Sequence, residues 1–142
     1  MGRVINTDST GKARTQLMRT CAEMLRALTQ KTELDDQAKD MAATIVFSLR
    51  EIDQGIEDSA QAWEKRDYWQ KSEELRQRWS WPGRIADELS ALILSESWQN
   101  LPPLLIKMLP YFADIKVTKV TRKEDTWIGA YNRLLHERPP TM

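Results

Sequence analysis

The amino-acid sequence predicts an all-α fold: a helical bundle of five to six helices with one short extended segment near 113–123. Three observations carry this expectation. Apolar residues recur at three- and four-residue intervals over most of the chain, the spacing that lines one face of a helix. Breakers are sparse, with 5 Gly and 6 Pro in 142 residues, so long helices can run unbroken. Hydrophobic residues make up 41% and charged residues 30%, a mixture that can build a core in a chain of this length without disulfides. We therefore expect a single helical domain over 1–142, with residues 1–8 as a lead-in and 138–142 as a loose tail.

The elements follow from local chemistry. Asp8, Ser9 and Thr10 each offer a side-chain acceptor for a helix start. Leu17, Cys21, Met24, Leu25 and Leu28 follow at helical spacing, so a first helix is expected from Ser9 to Gln30. Glu33, Asp35 and Asp36 suit the positive end of a second helix. Along it Ala38, Ala42, Ile45, Leu49, Ile52, Ile56, Ser59 and Trp63 step alternately by four and three, the seam of a packed bundle. The stripe then changes phase to Tyr68, Ser72, Leu75 and Trp79, which predicts a break near Asp58 and a third helix from Ser59 to Trp79. Trp81-Pro82-Gly83 reads as a turn. A fourth helix is expected through Ile85, Leu89, Leu92 and Ile93 towards Trp98. Pro102 or Pro103 suits the first turn of a short fifth helix over Leu104 to Tyr111. Ile115, Val117 and Val120 are interleaved with polar residues, a strand-like run that would need a partner strand. A last helix is expected over Glu124 to Glu137.

Charge narrows the function. The chain carries 21 basic and 21 acidic residues, and this neutrality argues against a broad grip on nucleic acid. The charges are segregated, however. Residues 1–31 hold six basic and two acidic side chains, and residues 32–64 hold two basic and nine acidic ones. Such separation suits helices of opposite sign packed together, or a polar contact face. Lys116 to Lys123 holds four basic and no acidic side chains, which makes it the best candidate for phosphate contacts.

Groups able to do chemistry are few. Cys21 and His136 are the lone residues of their types, too few for a zinc site or a histidine-bearing di-iron site, and no cofactor is expected. Cys21 falls on an apolar stripe and His136 at a helix end, both ordinary structural places. Asp36 and Asp40 share a face of the second helix, but Glu51 and Asp53 diverge from it, so a magnesium site there is a minor alternative. Gly11-Lys12 is similar to the end of a phosphate-binding loop, but Asn6 and Ala13 stand where that motif needs Gly and Ser or Thr.

Six Trp in a chain this short is the most unusual feature. Trp63 and Trp79 sit on the seams and are expected in the core. Trp69 and Trp81 fall off the stripes beside Arg66, Arg78 and Arg84, the composition of an interface hot spot if the rings are exposed. The sequence thus points to a non-enzymatic protein–protein interaction or assembly subunit acting through helix faces and exposed aromatics. Trp69, Trp81, Arg78, Arg84, Lys116, Lys119, Arg122 and Lys123 are its candidate contact residues. The partner is expected to be a protein, with a second copy of the chain (a homodimer) as one candidate. The alternatives are a nucleic-acid-associated protein using a basic patch around 116–123 and a metal-dependent phosphohydrolase using second-helix carboxylates. No long apolar run is present, so no membrane contact is expected and a cytoplasmic location is.

Overall fold

The computed structural model describes residues 7–137. Six α-helices account for most of them: α1 (Thr7–Gln30), α2 (Asp36–Glu64), α3 (Trp69–Arg78), α4 (Trp81–Leu94), α5 (Leu101–Met108) and α6 (Ala130–His136). Single 3-10 turns occupy Trp98–Asn100, Leu109–Phe112 and Glu124–Thr126. The fold is the expected all-α bundle. Most of the proposed lead-in and the whole proposed tail lie outside the described residues.

Helix α2 is the axis of the assembly and packs against α1, α3, α4 and α6. Its sequence explains why. Ala42, Ala43, Ile45, Val46 and Leu49 are all fully buried, so the helix is apolar on more than one side and needs several neighbours. The helix starts at Asp35, whose carboxylate accepts the backbone N–H of Ala38 at 2.8 Å. Asp40, one turn further on, reaches across the bundle. Its two oxygens accept the N–H groups of Gly129 (3.3 Å) and Tyr131 (3.0 Å). A side chain of α2 thereby caps the start of α6, where Gly129 takes a left-handed turn at φ 82°.

Several boundaries differ from the expectation. The fourth helix stops at Leu94, short of Trp98; the fifth runs Leu101–Met108 in place of Leu104 to Tyr111; and the last begins at Ala130, with only a 3-10 turn at Glu124–Thr126. Three further differences have a clear local cause. First, α1 begins at Thr7, so Asp8, Ser9 and Thr10 lie within its first turn rather than ahead of it. Second, α2 does not break near Asp58. It continues to Glu64, and the reversal comes at 65–68, where Asp67 adopts φ 64° and the Tyr68 N–H bonds to the Trp63 carbonyl at 2.9 Å. The change of stripe phase does mark a change of helix, but the break falls at 65–68, so the new stripe through Ser72 and Leu75 belongs to a shorter third helix, α3. Third, Trp81-Pro82-Gly83 is the first turn of α4 and not a loop. Pro82 fits there because the early N–H groups of a helix have no intrahelical partner.

The segment 113–123 forms no strand; no strand occurs among the described residues. It is irregular chain wrapped along α1. Ile115 and Val117 are half-buried against the core, while Val120 is exposed. Trp127 is buried beneath the start of α6. Trp63 and Trp79, expected in the core, are half-buried at its margin.

Two substitutions test this packing in urea melts. Leu49→Ala, in the fully buried centre of α2, should cost about 2–5 kcal/mol. Asp40→Ala removes the cap on α6 and should cost about 0.5–2 kcal/mol.

Candidate functional site

The eight candidate residues do not form one patch. Trp69 opens α3 and is 61% exposed; Trp81 opens α4 and is 8% exposed. Trp81 is therefore not a free contact residue. Its ring stacks on Tyr111 (centroids 4.2 Å, 8° between planes) and on Trp79 (6.0 Å), and meets the edge of Phe112 (5.6 Å). Arg78 is exposed at the end of α3. Arg84 is exposed and donates to the Tyr111 hydroxyl at 3.3 Å. Lys116, Lys119 and Lys123 are exposed, whereas Arg122 is consumed within the chain. Its guanidinium donates to the Thr20 hydroxyl (3.0 Å) and to the carbonyl and side-chain oxygens of Gln16 (3.1 and 2.9 Å).

The group that organises this region is Glu23. Its side chain has no solvent exposure. It accepts from Arg19 Nε (2.9 Å), from the Thr121 hydroxyl (2.6 Å) and from the backbone N–H groups of Thr121 (2.5 Å) and Arg122 (3.1 Å). Burial would push the Glu23 carboxyl up; the Thr121 hydroxyl, Arg19 and the two backbone donors outweigh it and hold it at about 2. Arg19 also donates through Nη1 to the Lys116 carbonyl at 2.9 Å. One carboxylate and two arginines thus fasten residues 116–122 along α1. Composition gave no sign of this latch, because Glu23 stands off the apolar stripe of α1 and looks like a solvent residue. The available signal was local: Arg19 one helical turn before a Glu flanked by Ala22 and Met24.

The latch brings the basic end of the chain and the basic 116–123 run onto one surface. Among the described residues, Arg14, Arg26, Lys116 and Lys119 on this face have no carboxylate partner. Clefts open there, two of them lined by several cations. One, of about 640 Å³, is lined by Arg14, Thr15, Met18, Arg19, Trp79, Asp114, Ile115 and Lys116. The other, of about 380 Å³, lies between Arg26, Lys31, Lys119, Val120 and Trp127. Arg14 stands 5.0 Å from the Trp79 ring centre, and burial lowers its pKa. A ladder of contacts then runs from Arg14 through Trp79, Trp81 and Tyr111 to Arg84.

Reactive groups are scarce by comparison. No three His, Cys, Asp or Glu stand together as a metal-holding set among the described residues. Asp40 is occupied as a cap, and Gly11-Lys12 lies inside α1 rather than in a loop. Cys21 is buried, and burial pushes its thiol up to about 12 against a hydrogen bond with Ser48. His136 Nδ1 sits 2.6 Å from the Asn132 carbonyl at the end of α6. No helix among the described residues is long and apolar enough to cross a membrane. No protein-family model, curated protein or solved structure matches this chain closely enough to place it in a family.

The latch predicts a pH dependence. The Glu23 carboxyl is held at about 2 in the folded chain, against about 4.3 in an unfolded one. Its stabilisation is therefore complete above the unfolded value and disappears as pH falls through the folded one. Glu23→Gln should be less stable than the parent near neutral pH by about 1.5–3 kcal/mol, and the gap should close between about pH 4.5 and pH 2. Urea melts of both proteins across that range measure it.

Proposed function

We propose that this protein is a non-enzymatic interaction module whose basic face, built by α1 and residues 113–123, binds an acidic partner protein. The observation that carries the reading is the set of cations on that face without carboxylate partners, beside clefts with partly apolar walls. Such a surface raises the local concentration of an acidic partner and gains when the partner supplies the missing countercharges. A protein is favoured over a nucleic acid for two reasons. The chain is neutral overall. The Trp81 ring is also covered by Trp79, Tyr111 and Phe112, which makes it a poor platform for a base. The buried free thiol of Cys21 suits a reducing compartment, and we place the protein in the cytoplasm.

A second reading, self-association, rests on a different observation. The α2 seam is covered by neighbouring helices, and the amides of Thr121 and Arg122 are taken by Glu23, so neither offers a contact to a second copy. Trp69, Ile106 and Leu109 nevertheless expose large apolar side chains, at 61, 67 and 46%. Sedimentation equilibrium tests this reading. A mass of 16.6 kDa that holds at every concentration rules the homodimer out.

For the leading reading, fluorescein-labelled poly-glutamate is titrated into the protein at rising salt and followed by anisotropy. The expected result is binding that weakens with salt. The double variant Arg14→Glu, Lys116→Glu should bind about tenfold less tightly or worse. A labelled oligo-dT that binds more tightly than poly-glutamate would turn the reading to nucleic acid, and binding of neither would contradict it.

A further inference from the structure

The larger cleft has two kinds of surface in a definite arrangement. Arg14, Arg19 and Lys116 supply positive charge around it, and Met18, Trp79 and Ile115 supply apolar wall. Asp114 is the one acid among its lining residues. Arg19 is held by Glu23 and the Lys116 carbonyl, so it is positioned before any ligand arrives. Arg14 is held against Trp79 and has no ion pair among the described residues. The walls are set by the same contacts, since Ile115 packs on the core beside the latched segment and Trp79 belongs to the aromatic ladder.

A purely acidic ligand would use only part of this surface. Carboxylates satisfy the cations, but the apolar wall stays wet unless a side chain covers it. We infer that the cleft between α1 and residues 114–116 is a peptide-binding subsite for an acidic segment carrying an aliphatic or aromatic anchor, the anchor seating on Met18, Trp79 and Ile115 while flanking carboxylates meet Arg14, Arg19 and Lys116. This deepens the proposed function and rests on it. Anchors of this type carry most of the affinity of an interface, and the charged surround sets orientation and encounter rate.

The test compares two labelled peptides of Glu and Gly that differ at one central position, Leu in one and Ala in the other. With the parent protein the Leu peptide should bind about tenfold more tightly than the Ala peptide. Met18→Gln, at a half-buried position on α1 that lines the cleft, should erase that difference and leave the Ala peptide unchanged. Lys116→Glu should weaken both peptides by a similar factor, and circular dichroism of each variant checks the fold. Equal binding of the two peptides to the parent overturns the anchor subsite and leaves the acidic-partner reading standing. Binding of neither peptide overturns both. A Leu preference that survives Met18→Gln moves the anchor out of this cleft and also overturns the inference.

Discussion

A carboxylate without access to water needs every one of its lone pairs answered, and Glu23 obtains its answers from a part of the chain some hundred residues away. Thr121 gives a hydroxyl and an amide, Arg122 gives an amide, and Arg19 gives a charged donor from one turn earlier on α1. Left unpaired, that charge would cost several kcal/mol, so the segment that supplies the donors is fixed in place by the burial itself. The consequences spread outward. With 116–122 fastened, Ile115 and Val117 seal the edge of the core, and the chain arrives at Glu124–Thr126 in position to begin the turn that buries Trp127. Asp40 then makes the second long-range closure, capping α6 from the side of α2. Irregular chain, which has no ladder of its own to hold it, is held here by two carboxylates.

The same latch explains how a neutral protein acquires a charged face. Like charges from two regions far apart in sequence would ordinarily keep their distance, at a cost that water and salt reduce but do not abolish. Glu23 sits beneath them as a fixed negative charge, bonded to Arg19 and within 4.0 Å of Arg122. The outer cations have no such counterpart, and that inequality gives the face its character. At its edge, Arg14 joins the charged surface to the run of stacked rings that ties α3, α4 and the Leu109–Phe112 turn together.

The sequence was most informative where periodicity and packing coincide. The α2 stripe through Ala42, Ile45, Leu49, Ile52 and Ile56 identified the central helix and its buried face, because all five meet neighbours along one regular seam. The shift of phase after Trp63 correctly signalled a new helix but not where the chain turns, since the break falls at 65–68 and not near Asp58. Trp81-Pro82-Gly83 misled because Pro stops a helix from within but starts one equally well. The site was less legible. The basic run 116–123 was visible, but Arg122 turned inward and Trp81 was covered. The residues that complete the face, Arg14, Arg19 and Glu23, belong to a helix whose charges looked like ordinary solvent contacts. The Arg19–Glu23 spacing was the one local hint; the long-range hydrogen bonds that turn Arg122 inward have no counterpart in the local sequence.

The central claim is that one buried carboxylate assembles the face, and the amides it binds report on it directly. Native-state hydrogen exchange of the Thr121 and Arg122 N–H groups, in the parent and in Glu23→Gln, is the most direct measurement. In the parent both amides should be protected well beyond their irregular neighbours at Thr118 and Lys119. In the variant that protection should be lost, while the amides of Ile45 to Leu49 in α2 stay protected. Fast exchange at Thr121 and Arg122 in the parent, or unchanged protection without the carboxylate, would contradict the account.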